Sequence, residues 1–410
     1  MTAAPAPRSG WPVNLLLTGL VAFQAISTDL YLASLPTLQR VFATDEARVQ
    51  LTLSVFLLGS AVMQLAYGPI SDRFGRRPVL RFAIALYVLA SLACAFAPTI
   101  ETLILFRLLQ AIGSCAGVTL GRAVARDLYA PTVAARVLAY MASAMAIAPI
   151  IGPMLGSWMT VALGWEANFL FLAGFGAICL IGLYTLLDET NLRRDPTATA
   201  PRRILANYSR LLGDRTYLGY ACAVTLSYCG IFCFISGSSF TLIDVLGLPT
   251  ELFGFCFGAA AAGYSAGALL AGRLIARFGI RSMVTAGTLL SAAFGLLGAA
   301  LAWVGIESVA AVLAPFIVVM IGIGLVLPAA IAGAIGPFPQ MAGAASAMVG
   351  FLQLGVAAAV GIAVGQLLDG TTRPMMTAIA VVTLADLLLF WLLVLRAPRA
   401  PSPGKAGRGF

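Results

Sequence analysis

Long apolar runs dominate this sequence and restrict its fold more than any other feature. A membrane-crossing helix needs about 20 apolar residues, and runs of that length, separated by charges and by Pro or Gly turns, recur along all 410 residues. Counting them predicts twelve spans, with the long polar segment 188–215 between two sets of six. The spans are 13–35, 49–69, 79–97, 102–122, 137–160 and 166–187, then 216–240, 251–272, 282–304, 309–333, 344–367 and 374–395.

Composition agrees with a polytopic membrane protein. Apolar residues make up 60% of the chain and charged residues only 10%, too few charges to cover the surface of a soluble protein of this length. The run from Val13 is too long for a cleavable leader and has no small-residue cleavage site, so it is predicted to be the first span. The predicted divisions are 1–12, an N-terminal cytoplasmic segment; 13–187, the first six spans; 188–215, a cytoplasmic linker; 216–395, the last six spans; and 396–410, a cytoplasmic tail.

A short charged hinge lies between spans 2 and 3. It contains Gly68, Asp72, Arg73, Gly75, Arg76 and Arg77. A weaker copy, residues 272–281, matches it at an offset of 204 positions. Arg73, Phe74, Gly75 and Arg77 each meet an identical residue, but Ala276 stands in place of Asp72. A repeat of about half the chain length predicts two similar membrane halves.

Basic residues predict the orientation. With the N-terminus inside, every basic residue falls on the inner side except Arg40, Arg48 and Arg373 in outer loops and Arg107 within a span. An even number of spans then places both termini in the cytoplasm. The net charge of +9 is therefore a topology signal, and a nucleic-acid partner is not expected.

Several classes of function are disfavoured by what the chain lacks. It has no histidine, and its seven cysteines all lie in apolar runs, where they are expected to be packing residues without a metal site. A multi-span enzyme or receptor would need a nucleophile, an acid–base pair or a metal set, and no such constellation is visible. The protein is expected to be neither an enzyme nor a cofactor protein.

Two ionisable residues inside spans are candidates for a functional site, because such groups are costly in a membrane. Asp29 lies seven residues before Pro36, and Arg107 lies six residues after Glu101. At 1.5 Å per residue both sit roughly 10 Å below the outer boundary. We hypothesise that Asp29 gains and loses a proton during transport and that Arg107 controls this exchange. A static structural ion pair is the alternative.

Other in-span residues could line a cavity. Ala25, Ile26 and Ala33 share a helical face with Asp29, although close helix packing explains small residues equally well. The remaining candidates are Gln110 and Ser114 near Arg107, Tyr228 and Phe232 in span 7, and Gln353 in span 11. Asp386 in span 12 has no evident partner, and a helix–helix hydrogen bond is as reasonable there as a transport role.

Span 5 combines two prolines with small residues at a spacing of four. Pro149, Gly152, Pro153 and Gly156 weaken the helical hydrogen-bond ladder and allow close backbone contact. Together they favour a moving or gating interface over packing alone.

These motifs resemble those of the major facilitator superfamily. The hinge resembles its cytoplasmic loop motif between spans 2 and 3, Arg107–Gly113 resembles the span-4 motif of drug:proton antiporters, and Ala148–Gly156 resembles their span-5 motif. Asp29–Pro36 and Arg126-Asp127-Leu128-Tyr129 resemble the branch of bicyclomycin and chloramphenicol/florfenicol exporters (Bcr/CflA type).

The resemblance implies an all-α polytopic membrane protein of twelve helices in two six-helix bundles, with a central cavity and alternating access. It implies that Asp29 and Arg107 match positions linked to proton coupling and drug recognition, and that Asp72 and its arginines latch the bundles on the inner side. The expected function is export of small amphipathic drugs such as amphenicols or bicyclomycin-like compounds, driven by the proton gradient without a cofactor, by a monomer in the bacterial cytoplasmic membrane. Export of a sugar, nucleoside or amino acid on the same fold is the alternative.

Overall fold

The computed structural model describes residues 10–192 and 194–396. The predicted N-terminal segment up to residue 9, Arg193 in the linker and the predicted tail from residue 397 lie outside the described residues. Within the described ranges the chain is almost entirely helical and contains no β-strand. The predicted all-α polytopic fold is confirmed.

Thirteen α-helices follow one another along the described chain. They are α1 (Trp11–Asp29), α2 (Leu35–Val41), α3 (Glu46–Phe74), α4 (Arg76–Ala95), α5 (Ile100–Leu128), α6 (Pro131–Leu163), α7 (Glu166–Thr185), α8 (Pro201–Leu212), α9 (Arg215–Ser239), α10 (Thr250–Val304), α11 (Val309–Ile335), α12 (Ala342–Leu367) and α13 (Arg373–Phe390). Short 3₁₀ turns at Leu32–Ser34 and Pro339–Met341 and π turns at Phe240–Val245 and Trp391–Leu395 extend some of them.

Helix α10 contains two of the predicted spans. Its 55 residues would extend about 80 Å at 1.5 Å per residue, far beyond a hydrocarbon core of about 30 Å. Gly279, with φ 80° and ψ 163°, breaks the helical geometry inside it. The 11 helical segments that are long and apolar enough to cross a membrane therefore correspond to twelve crossings.

The ends of two helices extend well beyond the predicted spans. Helix α3 continues to Phe74 and α5 to Leu128, beyond the apolar runs that end at 69 and 122. Charged residues outside the hydrocarbon do not stop a helix, because its backbone hydrogen bonds are internal. The sequence analysis also missed α8 in the linker, which is too short and too polar to be found by counting apolar residues.

The helices form two groups that meet along two seams. Helices α1 and α3–α7 pack mainly among themselves, as do α9–α13, while α3 contacts α12 and α6 contacts the first part of α10 across the divide. Because α3 ends and α9 begins beside the linker, we call that end of the molecule the linker side and the opposite end the far side. The sequence analysis predicts that the linker side is cytoplasmic.

Candidate functional site

The two halves are joined by buried polar contacts on the far side. The amide of Gln50 in α3 donates to the hydroxyl of Ser236 in α9 at 2.6 Å, and both side chains are buried. The hydroxyl of Ser239 donates to the carbonyl of Leu32 at 2.7 Å. These bonds link the first half to the end of α9, so the far side is closed.

On the linker side the halves are separated by a cavity of about 610 Å³. One wall comes from the ends of α3 and α5, including Gln64, Asp72 and Arg122, and the other comes from residues 340–347 at the start of α12. Helix α8 contributes Asn207 and Tyr208. The contrast between the two ends describes a state open only on the linker side.

Asp29 lies at the end of α1 and packs against α6. Its side chain is 4% exposed, and a Cβ placed on Gly152 of α6 would lie 3.3 Å from the Cβ of Asp29. Among the described residues Asp29 takes part in no ion pair.

Arg107 is fully buried inside the first half. Its guanidinium donates to the carbonyl of Ser27 at 3.1 Å and to the side-chain oxygen of Gln110 at 2.5 Å. Its charged carbon also lies 4.3 Å from the ring centroids of both Tyr31 and Phe56, an arrangement that stabilises a cation. Arg107 therefore holds α1 against α3 and α5.

The Arg107 contacts continue as a closed polar network. Gln110 donates to the hydroxyl of Ser91 at 2.7 Å, and Ser91 donates to the carbonyl of Tyr87 at 2.7 Å. The hydroxyl of Tyr87 lies 2.7 Å from that of Ser27, whose carbonyl accepts from Arg107. Buried networks of this kind stabilise one arrangement of helices when their members are satisfied.

The structure does not bring Asp29 and Arg107 together. Ser27 and Tyr31 contact Arg107, and each is two residues from Asp29. Since successive residues of an α-helix are rotated by about 100°, Asp29 points to nearly the opposite side of α1. In this conformation the two side chains form no ion pair.

The other predicted lining residues occupy different environments. Ala25, Ile26, Tyr228 and Gln353 are partly buried. Ala33, Gln110, Ser114 and Phe232 are buried; Ser114 bonds to the carbonyl of Ala111 in its own helix, and Phe232 packs on Gly361 of α12. Gln110 thus faces the neighbouring helix α4, where it bonds to Ser91, whereas the hydroxyl of buried Ser114 bonds within α5.

The span-5 motif contacts both halves of the molecule. Gly152 packs on Asp29, and Gly156 lies so close to the carbonyl of Leu30 that a side chain would not fit. On another face, a Cβ on Gly254 of α10 would lie 2.8 Å from the carbonyl oxygen of Pro153. Pro149 and Pro153 each remove a helical N–H, so a weakened helix joins Asp29 to the second half.

Asp386 is buried between α9 and α13. Its Oδ2 accepts a hydrogen bond from the hydroxyl of Ser227 at 2.6 Å, while its Oδ1 has no hydrogen-bond partner among the described residues. The structure thus supplies a helix–helix partner that the sequence alone did not identify.

The hinge residues form a network with each other and with the linker. Arg76 pairs with Asp72 at 2.6 Å and with Asp127 at 3.1 Å, and Arg77 donates to the carbonyl of Tyr184 at 3.1 Å. Arg73 donates to the hydroxyl of Thr199 at 2.7 Å. Gly68 has open space around it and lines the cavity.

Glu189 is a hinge residue that the sequence analysis missed. Its carboxylate accepts from the backbone N–H groups of Arg76 and Arg77 at 2.9 and 3.2 Å, at the start of α4. A carboxylate is stabilised at a helix N-terminus by free N–H groups and by the helix dipole. The acidic pair directly after span 6 is the sequence signal that could have indicated this role.

The linker continues from Glu189 as an ordered turn. The backbone N–H of Asp195 donates to the carbonyl of Asp72 at 3.1 Å. Hydrogen bonds from the hydroxyl and backbone N–H of Thr197, and then from Arg203, lower the pKa of Asp195 to about 2. The turn therefore holds an ionised carboxylate next to the hinge at neutral pH.

A second cavity, of about 730 Å³, is an apolar groove between α1, α6 and α7. Trp11, Leu15, Ile151 and Ile178 line it and are largely exposed, as expected for residues that face lipid. Its lining has almost no polar groups, so it lacks the anchors that orient a specific ligand.

Comparison with known proteins places these features in a family. Multidrug resistance protein D of Escherichia coli K12 is 29% identical over 386 residues, covering 93% of this chain and 95% of that protein. A bicyclomycin resistance protein homolog of Haemophilus influenzae is 25% identical, covering 94% and 96%. A chloramphenicol resistance protein of Pseudomonas aeruginosa is 29% identical, covering 82% and 79%. These relatives confirm the resemblance to the Bcr/CflA type.

Solved structures support the same fold. The crystal structure of a D-xylose-proton symporter superposes with a TM-score of 0.74 at 17% sequence identity, over 93% of this chain and 97% of that one. At that identity the likeness concerns the fold alone. Residues 17–354, from within α1 to within α12, match the Major Facilitator Superfamily. The chain belongs to the Major Facilitator Superfamily of membrane transporters.

Proposed function

We propose that this protein is a proton-coupled exporter of small, amphipathic, neutral or weakly charged drug-like compounds. Relatives named for multidrug, bicyclomycin and chloramphenicol resistance support drug export, and amphenicols and bicyclomycin-like compounds are the candidate substrates. Energy comes from the proton gradient, with no cofactor.

The contrast between the closed far side and the linker-side cavity carries the proposal. Transport by alternating access requires the far-side bonds Gln50–Ser236 and Ser239–Leu32 to break as the linker-side walls approach each other. Asp72 lies on one wall and residues 340–347 on the other, so closing the cavity would bring Asp72 to the start of α12. A carboxylate is favourable there because of the helix dipole, which supports the inner latch that the family resemblance implies.

Asp29 is the proposed proton carrier. It lies where α6, with its weakened proline-containing helix, separates α1 from the second half. Arg107 contacts Ser27 and Tyr31 on either side of Asp29 in sequence. Any movement of α1 that breaks these contacts changes the surroundings of both charged groups, so the arginine acts on Asp29 through the helix.

The protein functions as a monomer in the bacterial cytoplasmic membrane, with the linker side and both termini in the cytoplasm. The basic residues Arg202, Arg203 and Arg210 of α8 lie on the linker side, in agreement with the positive-inside rule. A reporter that is active only in the cytoplasm should therefore be active when it is fused after residue 410.

The test is drug susceptibility of an efflux-deficient bacterium that expresses the chain. Wild-type protein should raise resistance to chloramphenicol, florfenicol or bicyclomycin. Asp29→Asn and Arg107→Ala should abolish this resistance although the variants reach the membrane. Asp188→Asn is the matched control, since Asp188 is exposed in the linker.

A second measurement separates coupling from export. In everted vesicles with an acidic interior, adding substrate should release protons through the wild type and not through Asp29→Asn. Proton release by Asp29→Asn at the wild-type rate would refute the role of Asp29. The absence of resistance to any compound would favour export of a sugar, nucleoside or amino acid instead.

A further inference from the structure

The linker-side cavity has the dimensions and polarity of a small-molecule site. Its volume of about 610 Å³ lies within the range of about 300–1,000 Å³ that is typical of such sites. Polar side chains from both halves and from α8 surround it, among them Gln64, Thr119, Arg122, Asn207 and Gln340. This polar cavity lies at the ends of α3 and α5, well separated along α5 from buried Arg107.

The charges that line this cavity do not balance each other. Arg76 pairs with both Asp72 and Asp127, and Arg203 pairs with Asp195 at 2.6 Å. These pairs use all three carboxylates of the lining. Arg122 and Arg126 therefore remain as cations without an ion-pair partner among the described residues.

Arg122 is the better placed of these two arginines. Arg126 is exposed and donates through Nε to the carbonyl of Arg122 at 3.3 Å. Arg122 is half-buried, and its single side-chain hydrogen bond among the described residues goes to the sulfur of Met145 at 3.2 Å. A thioether is a weak acceptor, whereas a guanidinium carries five N–H donors in a planar fork.

Comparison with Arg107 shows that this arrangement is not general for arginines in the chain. Arg107 donates through Nε and Nη1 to carbonyl and amide oxygens and has two aromatic rings at 4.3 Å, although its buried Nη2 has no hydrogen-bond partner among the described residues. Arg122, five residues before Asp127 on the same helix, instead faces a cavity large enough for a ligand. Carboxylates and phosphates match the guanidinium fork, so an oxygen-rich anion is the ligand chemistry that suits Arg122.

We propose that the linker-side cavity binds the carboxylate or phosphate of a small acidic molecule, and that Arg122 is the residue that binds it. Arg126 adds to the positive field, and Thr119 and Gln64, which bond to each other at 3.1 Å, border the site. This inference concerns binding, so it stands or falls separately from the export of neutral drugs proposed above.

Binding of phenyl phosphate to the purified full chain in a zwitterionic detergent tests the site. Phenyl phosphate should raise the thermal unfolding midpoint saturably at constant ionic strength, since a ligand of the native state stabilises it, and benzyl alcohol should not. Arg122→Gln should raise the dissociation constant at least about tenfold, because a charge-assisted hydrogen bond to an anion is lost. Arg122→Lys, which keeps the charge but not the fork, should show a smaller loss.

Arg210→Gln is the matched control, because Arg210 is exposed on α8 and does not line the cavity. It changes the net charge by the same amount and should leave the dissociation constant unchanged. Equal binding by wild type, Arg122→Gln and Arg122→Lys would overturn the proposal, as would a midpoint that does not respond to phenyl phosphate. If Arg122→Gln does not fold, the dissociation constant of Arg122→Lys for phenyl phosphate decides: a value equal to that of the wild type would overturn the proposal.

The acidic group could also belong to a lipid, and nanodiscs distinguish the two sources. In phosphatidylcholine nanodiscs a soluble ligand site should bind phenyl phosphate as it does in detergent. In phosphatidylglycerol nanodiscs a lipid headgroup in the cavity should compete, which would lower the apparent affinity of wild type but not of Arg122→Gln. Binding in phosphatidylcholine nanodiscs supports an anion site at Arg122 for a soluble ligand, and competition by phosphatidylglycerol supports one for a lipid headgroup. Loss of phenyl phosphate binding in both kinds of nanodisc refutes the site.

Discussion

The two hinges of this protein share a backbone geometry but differ in the charges that surround it. Gly75 has φ 102° and ψ 154°, and Gly279, its counterpart 204 residues later, has φ 80° and ψ 163°. This region of backbone conformation is open almost only to glycine. Both glycines therefore reverse the chain between two membrane helices in the same way.

The arginines that follow the glycines also have matching roles. Arg77 donates to the carbonyl of Tyr184 at the end of α7, and Arg281 donates to the carbonyls of Val394 and Leu395 beyond α13. In each half, an arginine thus satisfies carbonyls at the end of the last span, where the helix dipole also favours a cation.

Among the described residues, only the first hinge has an acidic network. Glu189 covers the start of α4, and Asp72 and Asp127 hold Arg76. Around Gly279 there is open space, and Ala276 and Ile280 replace Asp72 and Arg76. The glycine and the arginine two residues after it, which both hinges share, are therefore sufficient for the turn. The acidic network attaches the linker to the first half.

The largest expected difference comes from replacing the two glycines. Gly75→Ala and Gly279→Ala should each lose about 1–3 kcal/mol from backbone strain. Gly75→Ala should lose more, because its Cβ would lie 2.5 Å from the carboxylate of Glu189 and displace it. The free energies of unfolding in mixed micelles measure this. Equal losses would show that Glu189 does not constrain the first hinge.

Removing the charge of Glu189 should have the next largest effect. Glu189→Gln should destabilise the protein by about 1 kcal/mol, since a carboxylate at a helix N-terminus contributes about that amount. Limited proteolysis of the linker should become faster. Glu307→Gln, at an exposed residue before α11, is the control and should change neither quantity.

Replacing the paired arginines tests the similarity of the halves rather than their difference. Arg77→Ala and Arg281→Ala should each cost about 1 kcal/mol, because each removes hydrogen bonds to helix-end carbonyls. They share no partner, so the double variant should lose the sum of the two. A clear departure from additivity in thermal unfolding would mean that the hinges are energetically coupled.

The smallest expected stability effect is at Asp72. Its side chain is 45% exposed, and exposed ion pairs contribute about 0–1 kcal/mol, so Asp72→Asn should leave the unfolding midpoint nearly unchanged. Its transport rate should fall more than its stability if Asp72 also contacts α12 in the other state. A large loss of stability without a loss of transport would contradict the proposed latch.

Much of the fold could be predicted from the sequence. The apolar runs placed the starts of α7, α9 and α11 within one residue, because a lipid environment requires long uninterrupted apolar helices. The prediction failed where this requirement does not apply. Helix α8 is a short polar helix that packs through Leu211 and Tyr208, contacts that no hydropathy count contains.

The candidate site was less accessible to sequence reasoning. Depth in the membrane follows from counting residues, and it suggested that Asp29 and Arg107 were neighbours. Rotation about α1 separates them instead, since Ser27 and Tyr31 carry the contacts with Arg107. The sequence analysis used Arg122 only as one of the basic residues that predict orientation. That it faces a cavity depends on the position of α12, which forms the opposite wall.

The sequence by itself determined the class of protein, the crossings and the paired hinges, because hydropathy, glycine conformation and charge asymmetry act locally along the chain. The tertiary structure alone decided which side the cavity opens to, which charges meet and which remain unpaired. Gln50 and Ser236 are 186 positions apart, and such contacts arise only when two halves that are each stable in the membrane pack against one another.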